Sequence, residues 1–197
     1  MKRLPIGIQT FSELINKNFY YVDKTPFIKK LTDGSKYYFL SRPRRFGKSL
    51  FLDTLESAFR CQKELFKGLF LENNWDWDSE HPVIKISFGS GVVRSIEELR
   101  ETFSENINYI LRNENKSIIL NNKSIKGQFS ELIEKLYEQY NKQVVILIDE
   151  YDKPILDSIN KSELALELRE ELKNYYSVIK DSDKYIKLCF ITGVSKF

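Results

Sequence analysis

With 197 residues, 42% hydrophobic and 30% charged, the chain is long enough to bury one substantial core and fits a single domain. Its formal net charge of +3, spread over interspersed lysines and acids, argues against a nucleic-acid surface, and neither a bilayer-spanning stretch nor the apolar core of a signal peptide is present. Cys61 and Cys189 are isolated and lack metal-ligand spacing, which predicts reduced thiols and a cytoplasmic protein.

In chain order, Phe11–Asn16 reads as a short helix, followed by an extended Tyr20-Tyr21-Val22. Asp23 or Thr25 can cap a second helix, with Pro26 in its first turn and Phe27, Ile28 and Leu31 on its buried side. Tyr37-Tyr38-Phe39-Leu40 has the character of a short strand, and residues 49–59 have helical spacing, with Leu52, Leu55, Ala58 and Phe59 on one face. Residues 65–71 and an aromatic loop with Trp75 and Trp77 lead to the strand Val83-Ile84-Lys85-Ile86-Ser87-Phe88. His81, the only histidine, precedes Pro82 at that strand's start, where a structural or exposed role is expected. Helices are predicted over 95–113, 124–140 and 162–180, strands over 144–148 and 185–192, and a polar connection over 113–126. Strands alternating with helices imply an α/β fold with a parallel sheet.

Arg42-Pro43-Arg44-Arg45-Phe46-Gly47-Lys48-Ser49 lies between the first of these strands and its helix. A helix N-terminus offers unpaired N–H groups and partial positive charge, which together bind phosphate. Gly47 would let backbone approach a phosphate, Lys48 would reach the β- and γ-phosphates, and the Ser49 hydroxyl would ligate Mg²⁺. The pattern Gly-x-x-x-x-Gly-Lys-Ser/Thr is incomplete, because Arg42 stands at the first glycine. Pro43 restricts Arg42 to extended geometry, so the start of the loop should be built differently. Arg44 and Arg45 add two permanent cations with planar donor forks. The competing reading is a basic turn that contains Gly-Lys-Ser by chance.

Val144-Val145-Ile146-Leu147-Ile148 is an uninterrupted apolar run, as expected of a strand buried on both faces, and Asp149 and Glu150 follow where open α/β sheets place ligands. Asp149 would hold Mg²⁺ and Glu150 would orient or deprotonate an attacking water; the alternative is a strand that leaves the core at two solvated acids. In this order the two motifs point to a P-loop ATPase that binds ATP with Mg²⁺ and hydrolyses it. Two alternatives remain open, a nucleotide-binding module without turnover and a small-molecule or nucleotide kinase. A nuclease is disfavoured, since Glu171-Leu172-Lys173 falls on a predicted helix.

The whole chain resembles the AAA-ATPase-like family of bacteria and archaea. The resemblance is carried by Phe19-Tyr20-Tyr21-Val22-Asp23-Lys24-Thr25, Ser41-Arg42-Pro43-Arg44-Arg45-Phe46-Gly47-Lys48-Ser49, Leu147-Ile148-Asp149-Glu150-Tyr151-Asp152-Lys153-Pro154 and Phe190-Ile191-Thr192-Gly193-Val194-Ser195-Lys196-Phe197. It implies a P-loop NTPase three-layer sandwich with sheet order 5-1-4-3-2, of which the chain reaches strand 4 and lacks strand 5 and a lid, so a fragment is expected. Residues 1–36 would then be the helical, adenine-side segment and 37–197 the nucleotide-binding core. It also implies that Tyr21, Val22 and Asp23 line the adenine pocket and that Arg42, Pro43, Arg44, Arg45, Phe46, Gly47, Lys48, Ser49 and Leu50 hold ATP. Ser49 and Asp149 hold Mg²⁺, Glu150 and Lys48 act on the phosphate, and Thr192, with Ser195 as second candidate, senses it. Members are often fused to a C-terminal PD-(D/E)XK nuclease-superfamily domain, which implies an effector domain as partner besides ATP and ADP, with nucleic acid reached only through that domain. With the Tyr37 strand at an open edge, an oligomer would form through that edge.

Overall fold

A computed structural model of the chain describes residues 2–114 and 118–195. Part of the polar connection over 113–126, and Lys196 and Phe197 of the last motif, lie outside the described residues.

Strands β1 (Tyr37–Ser41), β2 (Val83–Ser87), β3 (Val144–Asp149) and β4 (Ile186–Gly193) form one all-parallel sheet in the order β1-β4-β3-β2. All residues of β3 are buried, as its unbroken β-branched and leucine run requires of a strand covered on both faces. Ile146 and Ile148 face one helical layer together with Ile84 and Ile86, whereas Val145 and Leu147 face the other with Leu188 and Phe190. Along β4 the register skips Lys187 between Ile186 and Leu188, so these two residues turn to opposite faces.

Helices cover both sides. Against one face lie α1 (Phe11–Asn16), α2 (Thr25–Thr32) and α3 (Lys48–Phe59), which contribute Phe11, Ile28, Leu52, Leu55 and Phe59. Against the other lie α4 (Ile96–Asn113), α5 (Ile125–Tyr140), α6 (Lys153–Asp157) and α7 (Ser162–Asp181). The chain moves outward from β1 to β2 under α3 and returns through β3 to β4 beneath the second layer, as parallel crossovers of one hand demand. Ser95 and Ser124 start α4 and α5 by accepting from Glu98 N at 3.2 Å and Gly127 N at 3.1 Å.

Most expected elements are present, with four local differences. The extended Tyr20-Tyr21-Val22 joins no strand among the described residues, and an isolated bridge between Arg3 and Phe19 lies beside it. Residues 65–71 fall on two 3₁₀ turns, Lys63–Phe66 and Phe70–Asn73, because they must curl beneath Trp75 and Trp77. The predicted start of the last strand, Tyr185, closes a 3₁₀ turn, Asp183–Tyr185. Helix α6 is additional, with Pro154 in its first turn, where a missing N–H costs nothing. Glu171 and Lys173 sit within α7; Glu171 accepts from Arg100 Nε at 2.8 Å and so links α7 to α4, while Lys173 is exposed and pairs with Glu170 on its own helix. No described helix is long and apolar enough to cross a membrane.

Candidate functional site

The carboxyl ends of β1, β3 and β4 meet at one end of the sheet. From Ser41 the loop is tied to its neighbour at once: the Ser41 hydroxyl donates to Val194 O at 2.8 Å and Arg42 N to Gly193 O at 3.2 Å. The left-handed residues of the loop are Arg45 (φ 68°) and Gly47 (φ 73°), while Arg42 is not left-handed. This accounts for the missing first glycine: the position it would occupy needs no positive φ here, and the sharp turn has moved to Arg45. A non-glycine residue in that region costs on the order of 1–2 kcal/mol.

Gly47 leads directly into α3, whose N-terminus no side chain caps and whose first turn holds no acid. Lys48 is only 6% exposed, and its ammonium donates to Arg42 O at 2.8 Å and Pro43 O at 3.0 Å. It is thus folded beneath the loop, drawing the loop around its own charge.

At the end of β3, Asp149 is 7% exposed. One of its oxygens, Oδ1, accepts from the Thr192 hydroxyl at 2.5 Å, and that hydroxyl accepts from Glu150 N at 3.3 Å. Thr192, the residue expected to sense phosphate, is 0% exposed; its hydroxyl bridges Asp149 and the Glu150 backbone, which is itself left-handed at φ 53°. Ser195 is likewise engaged elsewhere, donating its hydroxyl to Asp152 Oδ2 at 3.1 Å. The same Asp152 oxygen accepts from Val194 N and Ser195 N, each at 2.7 Å. The two strand ends are therefore laced together, and at Gly193 a Cβ would stand 2.6 Å from Tyr151 Cε1, so only glycine fits.

A cavity of about 740 Å³ opens beside the loop, lined by Arg44, Arg45, Gly47, Lys48, Ser49, Leu50 and Glu150. Its opposite wall is residues 5–9. That wall is pinned at both ends, by Tyr20 N donating to Arg3 O at 2.8 Å and by Phe11 N donating to Asp53 Oδ2, on α3, at 2.7 Å. Ile6 is 89% exposed there, and Gly7 is left-handed with nothing near the position of an added Cβ. Tyr21, Val22 and Asp23, expected at this place, do not line the cavity. The Tyr21 ring packs on Phe11 at 5.3 Å, Val22 is exposed, and Asp23 spends both oxygens on backbone donors, Thr25 N and Phe70 N, each at 2.8 Å. Asp23 therefore supports the start of α2 instead, one residue outside its N-cap. Arg42 and Pro43 offer carbonyls to Lys48, and Phe46 is exposed, outside the cavity lining. Residues 5–9 escaped sequence reasoning; Gly7 between Pro5-Ile6 and Ile8 was the signal for a bend with exposed apolar flanks.

Among the described residues no cluster of three or more His, Cys, Asp or Glu side chains converges. Ser49 and Asp149 offer only hard oxygen donors, a set that suits a cation keeping waters and taking further ligands from phosphate, as Mg²⁺ does. Lys24, Arg42, Arg44, Arg45 and Lys48 make no ion pair among the described residues.

A parallel sheet, a left-handed loop joining β1 to α3, and a lysine folded under that loop define the P-loop class of three-layer α/β folds. Residues 5–197 match the family described as predicted AAA-ATPases, and the chain belongs to it. A protein of Azotobacter chroococcum mcd 1, described as an uncharacterized protein in the vnfD 5′ region, is 46% identical over 197 residues, all of this chain. The chain spans 38% of that relative's length. No solved structure matches the chain.

Proposed function

We propose that this domain binds ATP with Mg²⁺ and hydrolyses it. The observation that carries the reading is the group of arginines and lysines that pair with no acid among the described residues, gathered at the uncapped N-terminus of α3 beside a cavity that Glu150 also lines. Charges left unpaired at a helix N-terminus are favourable only when an anion completes them. Arg44, Arg45, Lys48 and the first N–H groups of α3 take the phosphates. The exposed aliphatic wall at residues 5–9 takes the base, in place of Tyr21, Val22 and Asp23.

Ser49 and Asp149 would hold Mg²⁺, which when bound neutralises phosphate charge and orients the chain of phosphates. Thr192 fixes the Asp149 rotamer by its hydrogen bond and sets the Glu150 backbone. Glu150 orients a water for in-line attack and accepts its proton. Donors already in place, Lys48 and the loop amides, stabilise charge on the transferring group. In a longer protein the cycle would act on other domains or on a partner, with ADP as the returning ligand and the cytoplasm as its compartment.

Calorimetry with ATP and Mg²⁺, paired with phosphate release, tests this reading. Glu150→Gln keeps size and hydrogen bonding, so it should bind ATP as the parent does and lose turnover by about a hundredfold or more. ATP binding by the parent without any phosphate release would leave a binding module and remove the hydrolase.

A further inference from the structure

We infer that Lys24 is a second phosphate-binding lysine, delivered to the loop from the segment before α2; the inference rests on the nucleotide reading above. The Lys24 ammonium lies 3.9 Å from the point where a Cβ of Gly47 would stand, and no other atom outside the adjoining residues comes within 4 Å of that point. Gly47 is the left-handed residue whose N–H opens the helix N-terminus, so Lys24 stands against the backbone that receives a phosphate.

Its position is held from both sides. Asp23 accepts from Thr25 N and Phe70 N, and the buried Thr25 accepts at Oγ1 from Leu71 N at 3.2 Å. Both neighbours are thereby fixed to the Phe70–Asn73 turn. The Lys24 side chain, by contrast, is exposed and without an acid partner among the described residues, because the adjacent Asp23 carboxylate is already committed to backbone donors.

Electrostatics gives the arrangement its meaning. Like charges a few ångströms apart near a protein surface repel one another. Adding Lys24 to a loop that already carries Arg42, Arg44, Arg45 and Lys48 is therefore uphill in isolation. A polyphosphate reverses each of those signs, and a lysine on a flexible stem can meet it as a mobile point charge. Lys48 approaches the loop from beneath and Lys24 from the segment before α2, so a polyphosphate would be met by ammonium groups from two sides.

Titration of the protein with ATP and, separately, with inorganic pyrophosphate tests the assignment. Lys24→Gln should weaken both ligands about tenfold and flatten the dependence of affinity on salt, whereas Lys24→Arg should stay within about threefold of the parent. Pyrophosphate isolates the phosphate contact from any contact to the base. If Lys24→Gln binds both ligands as the parent does while Lys48→Ala loses them, Lys24 is no phosphate ligand, and the nucleotide reading survives. If the parent binds neither ligand, both readings fall together.

Discussion

Helix α3 carries charge at both ends, and the two ends are built on opposite rules. At its C-terminal half every charge has a partner. The Lys85 ammonium, on β2, contacts Asp53 Oδ1 at 2.6 Å and Glu56 Oε2 at 2.9 Å. Arg60 joins Glu56 and Glu114 at 3.3 Å each and donates to Val83 O at 3.2 Å, while the Tyr140 hydroxyl donates to Glu114 at 2.6 Å. Those bonds tie α3 to β2 and to the ends of α4 and α5. At its N-terminus, Lys48 donates to backbone carbonyls, and among the described residues the arginines beside it meet no acid. A buried charge that holds a fold together needs its partner within the fold. A charge that waits for a ligand must be left without one.

Removing one charge at each end separates the two rules. Lys48→Ala should lower ATP affinity by at least about a hundredfold, since charge-assisted hydrogen bonds worth about 1.5–3 kcal/mol each are lost. Its unfolding midpoint should scarcely move, because the ammonium ties one loop to itself and crosses no layer. Calorimetry alongside urea unfolding reads both quantities, and unchanged affinity in Lys48→Ala would remove the phosphate-loop assignment.

Glu114→Ala should show the opposite pattern. The Glu114 side chain is 1% exposed, and removing it strips Arg60 and Tyr140 of a shared acceptor. A loss of about 2–3 kcal/mol is expected, at the lower end for a broken buried pair because Arg60 keeps Glu56 and Val83 O. ATP affinity should stay within about twofold of the parent. A large loss of affinity here would mean that the paired end also shapes the loop, and the contrast between the two ends would fail.

Local chemistry made one part of this architecture readable and hid the other. The β3 run, the serines that start α4 and α5, and the Gly47-Lys48-Ser49 turn are each specified within a few residues, so they could be read in order along the chain. The cavity wall at residues 5–9 depends on contacts between distant residues: Phe11 N reaches Asp53, and Tyr20 N reaches Arg3 O. Tyr21-Val22-Asp23 was expected beside the nucleotide from the resemblance, whereas Tyr21 packs on Phe11 and Asp23 is committed to Thr25 and Phe70. The loop was legible as a departure from pattern. Its compensation at Arg45 was not, since nothing in an arginine announces a positive φ. Thr192 was readable as a hydroxyl at the end of β4, but its hydrogen bond to Asp149 across two strands was not.

The smallest expected effect lies beside the C-terminal residue of α3, at His81. Its Nδ1 is 2.7 Å from Gln143 O, so that nitrogen carries the proton, and its ring meets Phe59 edge-on at 5.7 Å. Burial is the leading influence on this imidazole and pushes it below its ordinary value of 6.5, with Lys187 and Lys142 acting in the same direction. The folded protein therefore takes up this proton later than the unfolded chain does as pH falls. Stability is complete above the unfolded value and declines as pH drops below it, until the folded value is passed. Between about pH 7.5 and about pH 5.5, above the usual carboxylate range, the parent's midpoint should fall by about a degree or two once solvent exposure of the ring is allowed for. His81→Gln keeps a donor for Gln143 O and cannot titrate, so its midpoint should be flatter over the same interval. Parallel slopes in the two proteins would place the acid sensitivity elsewhere and leave His81 as packing alone.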